Sequence, residues 1–117
     1  MAKAGWGRIV TFTSQARHGV PTLMPYGVSK AAVVAITAGV AREYTAQGIL
    51  ANTVEPSRTR TEMVLDRVSQ EEIDHPGNAI GRLANPEEIA AVVNFLTSEE
   101  NTYMSGSIVP VTGGPPW

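Results

Sequence analysis

"YGVSKAAVVAITAGVAREYTAQGILANTVEP", Tyr26 to Pro56, is a long apolar helix pattern that runs directly into a β-branched strand pattern. The helix reads from Tyr26 to about Gln47. Ala32, Ala35, Ile36, Gly39 and Val40 form one stripe at helix spacing, and Val33, Val40 and Tyr44 begin a second beside it. A helix apolar over that much of its girth is expected to be covered twice, by a sheet and by another protein chain. Gly48 suits the position just past a helix end. Ile49 to Pro56 then reads as a strand, and Pro56 stops it because proline cannot donate to a ladder.

Upstream, "GRIVTFT" (Gly7 to Thr13) is a second strand pattern. Its apolar residues do not alternate cleanly, which predicts burial on both faces. The connection "QARHGVPTLMP" is punctuated by Gly19, Pro21 and Pro25 and reads as a loop. Downstream of Pro56 lies an irregular stretch with two short helical turns, one starting at Ser69 with Glu72 completing a capping box. "NPEEIAAVVNFLTSE" is a clearer helix. Asn85 is its N-cap, Pro86 its first residue, and Glu87 and Glu88 complement the dipole. Ile89, Val92, Val93 and Leu96 make its buried stripe, and "SIVPVTGG" is a last short strand.

Strands separated by helical crossovers of this length favour right-handed βαβ units. The expected fold class is α/β: a partial Rossmann domain, with three parallel strands of a doubly wound sheet and flanking helices. Such domains usually carry six or more strands, so the pattern predicts part of a domain.

The bulk numbers exclude several function classes. Of 117 residues, 43% are hydrophobic and 17% charged, and the net charge is −2. That balance does not attract nucleic acid or anionic lipid. Without cysteine and with two histidines, disulfides, a thiol nucleophile and a metal cage are not expected. The start "MAKAGWG" has no apolar signal region, and the apolar run around Ala31 to Ala41 reads as too short to span a bilayer. A cytoplasmic location is the resulting expectation.

The chemistry begins with a spacing. Tyr26 and Lys30 stand four residues apart on a helix and therefore share a face. A free phenol, with a pKa near ~10, is too weakly acidic for proton transfer at neutral pH. An ammonium at about 4 Å and an effective dielectric of ~20 attracts the phenolate by roughly 4 kcal/mol before desolvation. A tyrosine so placed is suited to passing a proton to or from an alcohol or carbonyl oxygen. Ser14 follows the first strand, at the sheet end where open α/β folds bind ligands.

"GRIVTFTS", "YGVSKAAV", "GILANTVEPSRTRTEM", "GRLANPEEIAAVVNFLTSEE" and "YMSGSIVPVTGG" together resemble the short-chain dehydrogenase/reductase family, in its carboxyl-terminal half. The resemblance covers nearly the whole chain. It implies a Rossmann fold and hydride transfer at a small-molecule alcohol or ketone with NAD or NADP, NADP slightly favoured. It implies that Tyr26 is the acid/base, that Lys30 lowers its pKa and binds the nicotinamide ribose, and that Ser14 polarises the substrate oxygen. By the same resemblance Pro56, Thr59 and Thr61 lie along the nicotinamide, so that Tyr26, Lys30, Pro56, Thr59 and Thr61 form the cofactor set. The residues around Met63 to Pro76 fall in a mobile substrate-covering region. The long helix, 26–47, is implied to pack against its counterpart in a homo-oligomer.

Two positions depart from the family pattern. Its serine usually stands thirteen residues before the tyrosine, where this chain has Thr13; Ser14, twelve before, is preferred, with Thr13 the alternative. Pro56–Ser57 replaces the usual proline–glycine. The family's glycine-rich phosphate turn and ribose selector have no match, since Gly5–Trp6–Gly7 precedes a strand instead of following one. Residues 1–117 are therefore expected to form the carboxyl-terminal half of such a domain without its nucleotide-binding half. The first strand would keep an unpaired edge, and the fragment is expected to be associated or marginally stable. The alternative function is a non-catalytic remnant that serves as an oligomerisation or interaction module. Arg17 and His18 are expected in a solvated loop and His75 in a turn, with Trp6 and Trp117 packed and Met24, Met63 and Met104 filling gaps.

Overall fold

The computed structural model describes residues 1–114. Three parallel strands, β1 (Gly7–Phe12), β2 (Ile49–Pro56) and β3 (Ile108–Val111), form one sheet in the order β1-β2-β3. Gly7 pairs with Ile49 and Phe12 with Val54, while Thr53 pairs with Ile108 and Pro56 with Val111. β2 is central, and it is buried from Ile49 through Glu55. β1 is an edge strand and only half-buried along most of its length, with Phe12 44% exposed. The expected burial on both faces fails because no fourth strand flanks it among the described residues.

Helix α1 (Met24–Tyr44) covers one face of the sheet. It starts two residues before Tyr26 and continues as a 3-10 turn, Thr45–Gln47. Gly48 then turns the chain at φ 81. A Cβ there would stand 2.0 Å from the Gly5 carbonyl oxygen, so both the dihedral and the close approach require glycine. The face of α1 that meets the sheet carries Val33, Thr37 and Ala41, the last two buried. Thr11 Oγ1 lies 2.8 Å from Thr37 Oγ1 and 3.0 Å from Thr53 Oγ1, so a threonine cluster joins the two layers.

Of the expected stripe, Ala32, Ala35, Ile36 and Gly39 face away from the sheet and are exposed, while Val40 is half-buried. Met24, Val28 and Ile36 are 72%, 70% and 65% exposed along α1. The helical span Met24–Gln47, 24 residues, is long and apolar enough by length and composition to cross a membrane. The expectation of a run too short to do so is corrected. Docking on β2 gives one side of that apolarity a different use.

On the other face lies α4 (Pro86–Thr97). Ile89 and Leu96 join Val54 in the core, with Val10, Val92, Val93 and Val109 packed around them. Each such side chain contributes roughly 1.5–3 kcal/mol on full burial. Between β2 and α4 run two short helices, α2 (Glu62–Leu65) and α3 (Gln70–Asp74). The α3 capping box forms as expected: Ser69 Oγ accepts from the Glu72 N–H at 3.2 Å, and Glu72 Oε2 accepts from the Ser69 N–H at 3.0 Å.

Trp6 is 47% exposed, not packed inside; the Arg8 guanidinium lies 5.0 Å from its ring centroid. Trp117 lies outside the described residues. Met24 and Met63 are exposed, and only Met104 of the three methionines packs on the core.

The N-terminus of α4 is held by Glu88. Glu88 Oε2 accepts from the Asn85 N–H at 2.8 Å, and the Arg82 guanidinium donates to both carboxylate oxygens at 2.7 and 2.8 Å. Arg82 first, then the Asn85 N–H, draw the Glu88 carboxyl down from 4.5 to about 2. A depressed carboxylate stabilises the fold above its ordinary pKa and loses that contribution as pH falls through the depressed value. The α4 cap is therefore expected to loosen between pH 4.5 and about 2. A carbon-13 titration of Glu88 should give a midpoint near 2, moved upward by Arg82→Ala; a midpoint near 4.5 in the unsubstituted chain would refute the pairing.

Candidate active site

The carboxyl end of β1 delivers two consecutive hydroxyls. The Thr13 N–H donates to the Val54 carbonyl at 2.9 Å and extends the β1–β2 ladder by one step. Thr13 is 3% exposed, and its Oγ1 donates to the Lys30 carbonyl at 2.9 Å. Its hydroxyl is thus committed to the backbone of α1. Ser14 is extended and half-buried, and its Oγ accepts from the Ala16 N–H at 3.2 Å to start a 3-10 turn, Gln15–His18.

That turn sits directly on the first turn of α1. A Cβ on Gly27 would meet the Ala16 carbonyl oxygen at 2.5 Å. The loop into the helix is tight: Thr22 stands at φ 68, a conformation that β-branched residues rarely adopt. Pro25 lies in the first helical turn, where no intrahelical N–H is needed. Tyr26 is 45% exposed at this helix start. Lys30 lies one turn on, with its Nζ 5.6 Å from the Tyr26 ring centroid, so the two share a face. Lys30 Nζ also donates to the Phe12 carbonyl at 3.1 Å, which ties the ammonium to the end of β1.

The opposite wall comes from the end of β2 and the segment after it. The Ser57 N–H donates to the Val111 carbonyl at 3.1 Å, and Thr59 Oγ1 donates to the Ser57 carbonyl at 3.1 Å. Thr61 is the N-cap of α2, its Oγ1 accepting from the Val64 N–H at 3.4 Å. A cleft of about 350 Å³ lies between the walls, lined among others by Ser14, Tyr26, Pro56, Thr59, Thr61 and Met63. Five of the six residues singled out from sequence therefore share one cleft. Lys30, the sixth, stands beside Tyr26 without lining it.

Two features escaped the sequence reading. Arg17 was expected in solvent, but its Nε is ion-paired with Glu55 Oε2, and Glu55 is 5% exposed. A lone carboxylate in the apolar strand 49–56 was the available signal. The Ser57 hydroxyl is buried and has no hydrogen-bond partner among the described residues.

The seating of the Ser14 turn on α1 can be tested. Gly27→Ala should push the Ala16 carbonyl away, cost about 1–3 kcal/mol in urea unfolding, and speed amide exchange at Ala16. Unchanged stability and exchange would show that the two turns are not in contact.

A family model described as enoyl-(acyl carrier protein) reductase matches residues 1–115. The A-factor type gamma-butyrolactone 1'-reductase (1S-forming) of Streptomyces virginiae is 40% identical over 119 residues, covering 97% of this chain and 46% of that protein. A solved structure of a short chain dehydrogenase/reductase family protein is 39% identical with a TM-score of 0.88, covering 97% of this chain and 47% of the other. ElxO with NADP bound is 29% identical with a TM-score of 0.87, covering 97% and 48%. The chain spans about half the length of the curated relatives it matches.

Proposed function

The chain belongs to the short-chain dehydrogenase/reductase family of oxidoreductases, and we propose that it carries that family's proton-transfer residues in Ser14, Tyr26 and Lys30. The reaction is an NAD- or NADP-dependent interconversion of an alcohol and a ketone. NADP is slightly favoured, although both cofactors occur among the relatives: ElxO has NADP bound, and a 36% identical Sphingomonas dehydrogenase is named for NAD(+). One observation carries the reading: Ser14 and Tyr26 line the same cleft as Pro56, Thr59 and Thr61.

The residues present fit one end of a dinucleotide. The cleft offers hydroxyls from Ser14, Tyr26, Thr59 and Thr61, and the orphaned Ser57 hydroxyl lies beside it. Tyr26, Lys30, Pro56, Thr59 and Thr61 would hold the nicotinamide and its ribose. Among the described residues, no glycine-rich turn leads from a strand into a helix to hold a diphosphate. When bound, the nicotinamide ring supplies or accepts the hydride. The protein's part is the proton. Ser14 donates a hydrogen bond to the substrate oxygen and fixes it in the cleft. Tyr26 gives that oxygen a proton in reduction and takes one in oxidation. Lys30, anchored on the Phe12 carbonyl, sets a positive charge beside the phenol as it loses its proton.

Titration calorimetry of the full chain with NADPH and NADH tests the cofactor assignment; binding of either supports it. Tyr26→Phe should then lower turnover of a ketone by about 10²–10⁴-fold and weaken cofactor binding far less, because Lys30, Pro56, Thr59 and Thr61 remain. Binding of neither cofactor would favour the second reading, a non-catalytic interaction module.

The uncovered side of α1 supports a homo-oligomer in both readings. Met24, Val28 and Ile36 form an apolar ridge along one helix, opposite the sheet-facing side. Ile36→Glu should convert the assembly into smaller species by light scattering, and an unaltered mass would contradict packing through 26–47. The cytoplasm is the proposed compartment, in keeping with a chain that has no cysteine.

A further inference from the structure

We propose that the Arg17–Glu55 ion pair is a positioning device that holds the Ser14 turn in its place above the cleft. The role given to Ser14 rests on the oxidoreductase reading; the placement of the turn does not.

Glu55 sits near the end of β2, opposite Pro110 on β3 and one residue before Pro56 of the cleft wall. Its side chain is 6% exposed, and that of Arg17 is 21% exposed. A buried carboxylate without a partner is costly, and Arg17 is the only side chain that bonds this one among the described residues. Arg17 is also part of the Ser14 turn, its N–H donating to the Ser14 carbonyl at 3.0 Å. One ion pair thus joins the strand that ends in Pro56 to the turn that begins at Ser14.

The turn has few other supports. It is a single 3-10 turn of four residues, closed by Gly19 at φ 90, and such turns are weak by themselves. Gly19 through Tyr26 are all exposed. One flank is seated by the close approach of the Ala16 carbonyl to Gly27. The pair supplies the second flank, from the sheet. With both in place, the Ser14 hydroxyl stays on the cleft that Tyr26 lines. With the pair removed, the turn keeps its seat on α1, where Ala16 is buried, and its entry through Thr13, but loses its side-chain tie to the end of β2.

A positioning role and a purely stabilising role differ in what they predict. Replacing a buried ion pair with apolar residues of similar volume often leaves stability unchanged or improved. The test is therefore the double substitution Arg17→Met with Glu55→Leu in the full chain, alongside Ser14→Ala alone and in the doubly substituted background. Hydrogen exchange at Ala16 and Gly19 reads the turn directly and needs no activity. Turnover of ethyl acetoacetate with NADPH reads the consequence. The double variant should melt close to the unsubstituted chain. Its turn amides should exchange about tenfold faster, and kcat should fall about tenfold with KM for NADPH unchanged. Ser14→Ala should then cost little more in that background than the double substitution already has. Unchanged protection of Ala16 and Gly19 would overturn the proposal, as would a full additional loss from Ser14→Ala. If the unsubstituted chain shows no turnover, the oxidoreductase reading is what fails, and the exchange rates alone decide the role of the pair.

Discussion

Two hydrogen bonds fasten the start of α1 to the end of β1: Thr13 Oγ1 to the Lys30 carbonyl, and Lys30 Nζ to the Phe12 carbonyl. The site depends on this joint. Parallel pairing of β1 and β2 obliges the chain to cross over the sheet between them, and α1 is that crossover. A crossover helix returns antiparallel to the strands, so its first turn stands at their carboxyl ends. The two bonds then fix which residues of that turn face the cleft. Tyr26 and Lys30 are brought to the strand ends by topology and turned toward them by the joint.

Close backbone contact provides the second constraint. Gly27 lets the Ser14 turn rest against the helix start, and Gly48 lets the chain re-enter the sheet beneath the Gly5 carbonyl. Neither position has room for a Cβ. Around them the protein accepts local costs, in the positive φ of Thr22 and in a buried carboxylate at Glu55. Thr22 lies within the segment that carries Ser14 and Tyr26, and Glu55 is tied to that segment through Arg17, which fits the tendency of strain to gather at functional sites.

Much of the fold was legible in period and punctuation. Proline ended β2 at Pro56, Asn85–Pro86 opened α4, and the stripe of Ile89, Val92, Val93 and Leu96 faces the core as its spacing implied. The orientation of α1 was not legible. Its most apolar stripe points outward, because the contact with the sheet is made by Thr37 against Thr11, which is itself bonded to Thr53, and by the small Ala41. Hydrophobic periodicity does not register a threonine cluster as a docking face. The unpaired edge of β1 was expected and the sheet order agrees among the described residues, but its burial was misjudged, since an apolar strand at a sheet edge reads like a central one. At the site, helix spacing brought Tyr26 and Lys30 together on paper as in the structure. The orientation of the Thr13 hydroxyl, buried against α1, emerged only from coordinates, as did the ion pair of Arg17 with a carboxylate thirty-eight residues away.

The outward ridge of α1 and, among the described residues, the unpaired edge of β1 leave apolar surface outside the core. The proposed chemistry is assigned to the cleft at the strand ends, whose lining comes entirely from residues 13–64. Its direct test is a chemical-shift map of the isotope-labelled chain titrated with NADPH. Perturbations clustered at Thr13–Gln15, Tyr26–Lys30 and Pro56–Thr61 are the predicted result. An empty map, or perturbations confined to α4 and the outer face of α1, would contradict a nicotinamide site at this cleft.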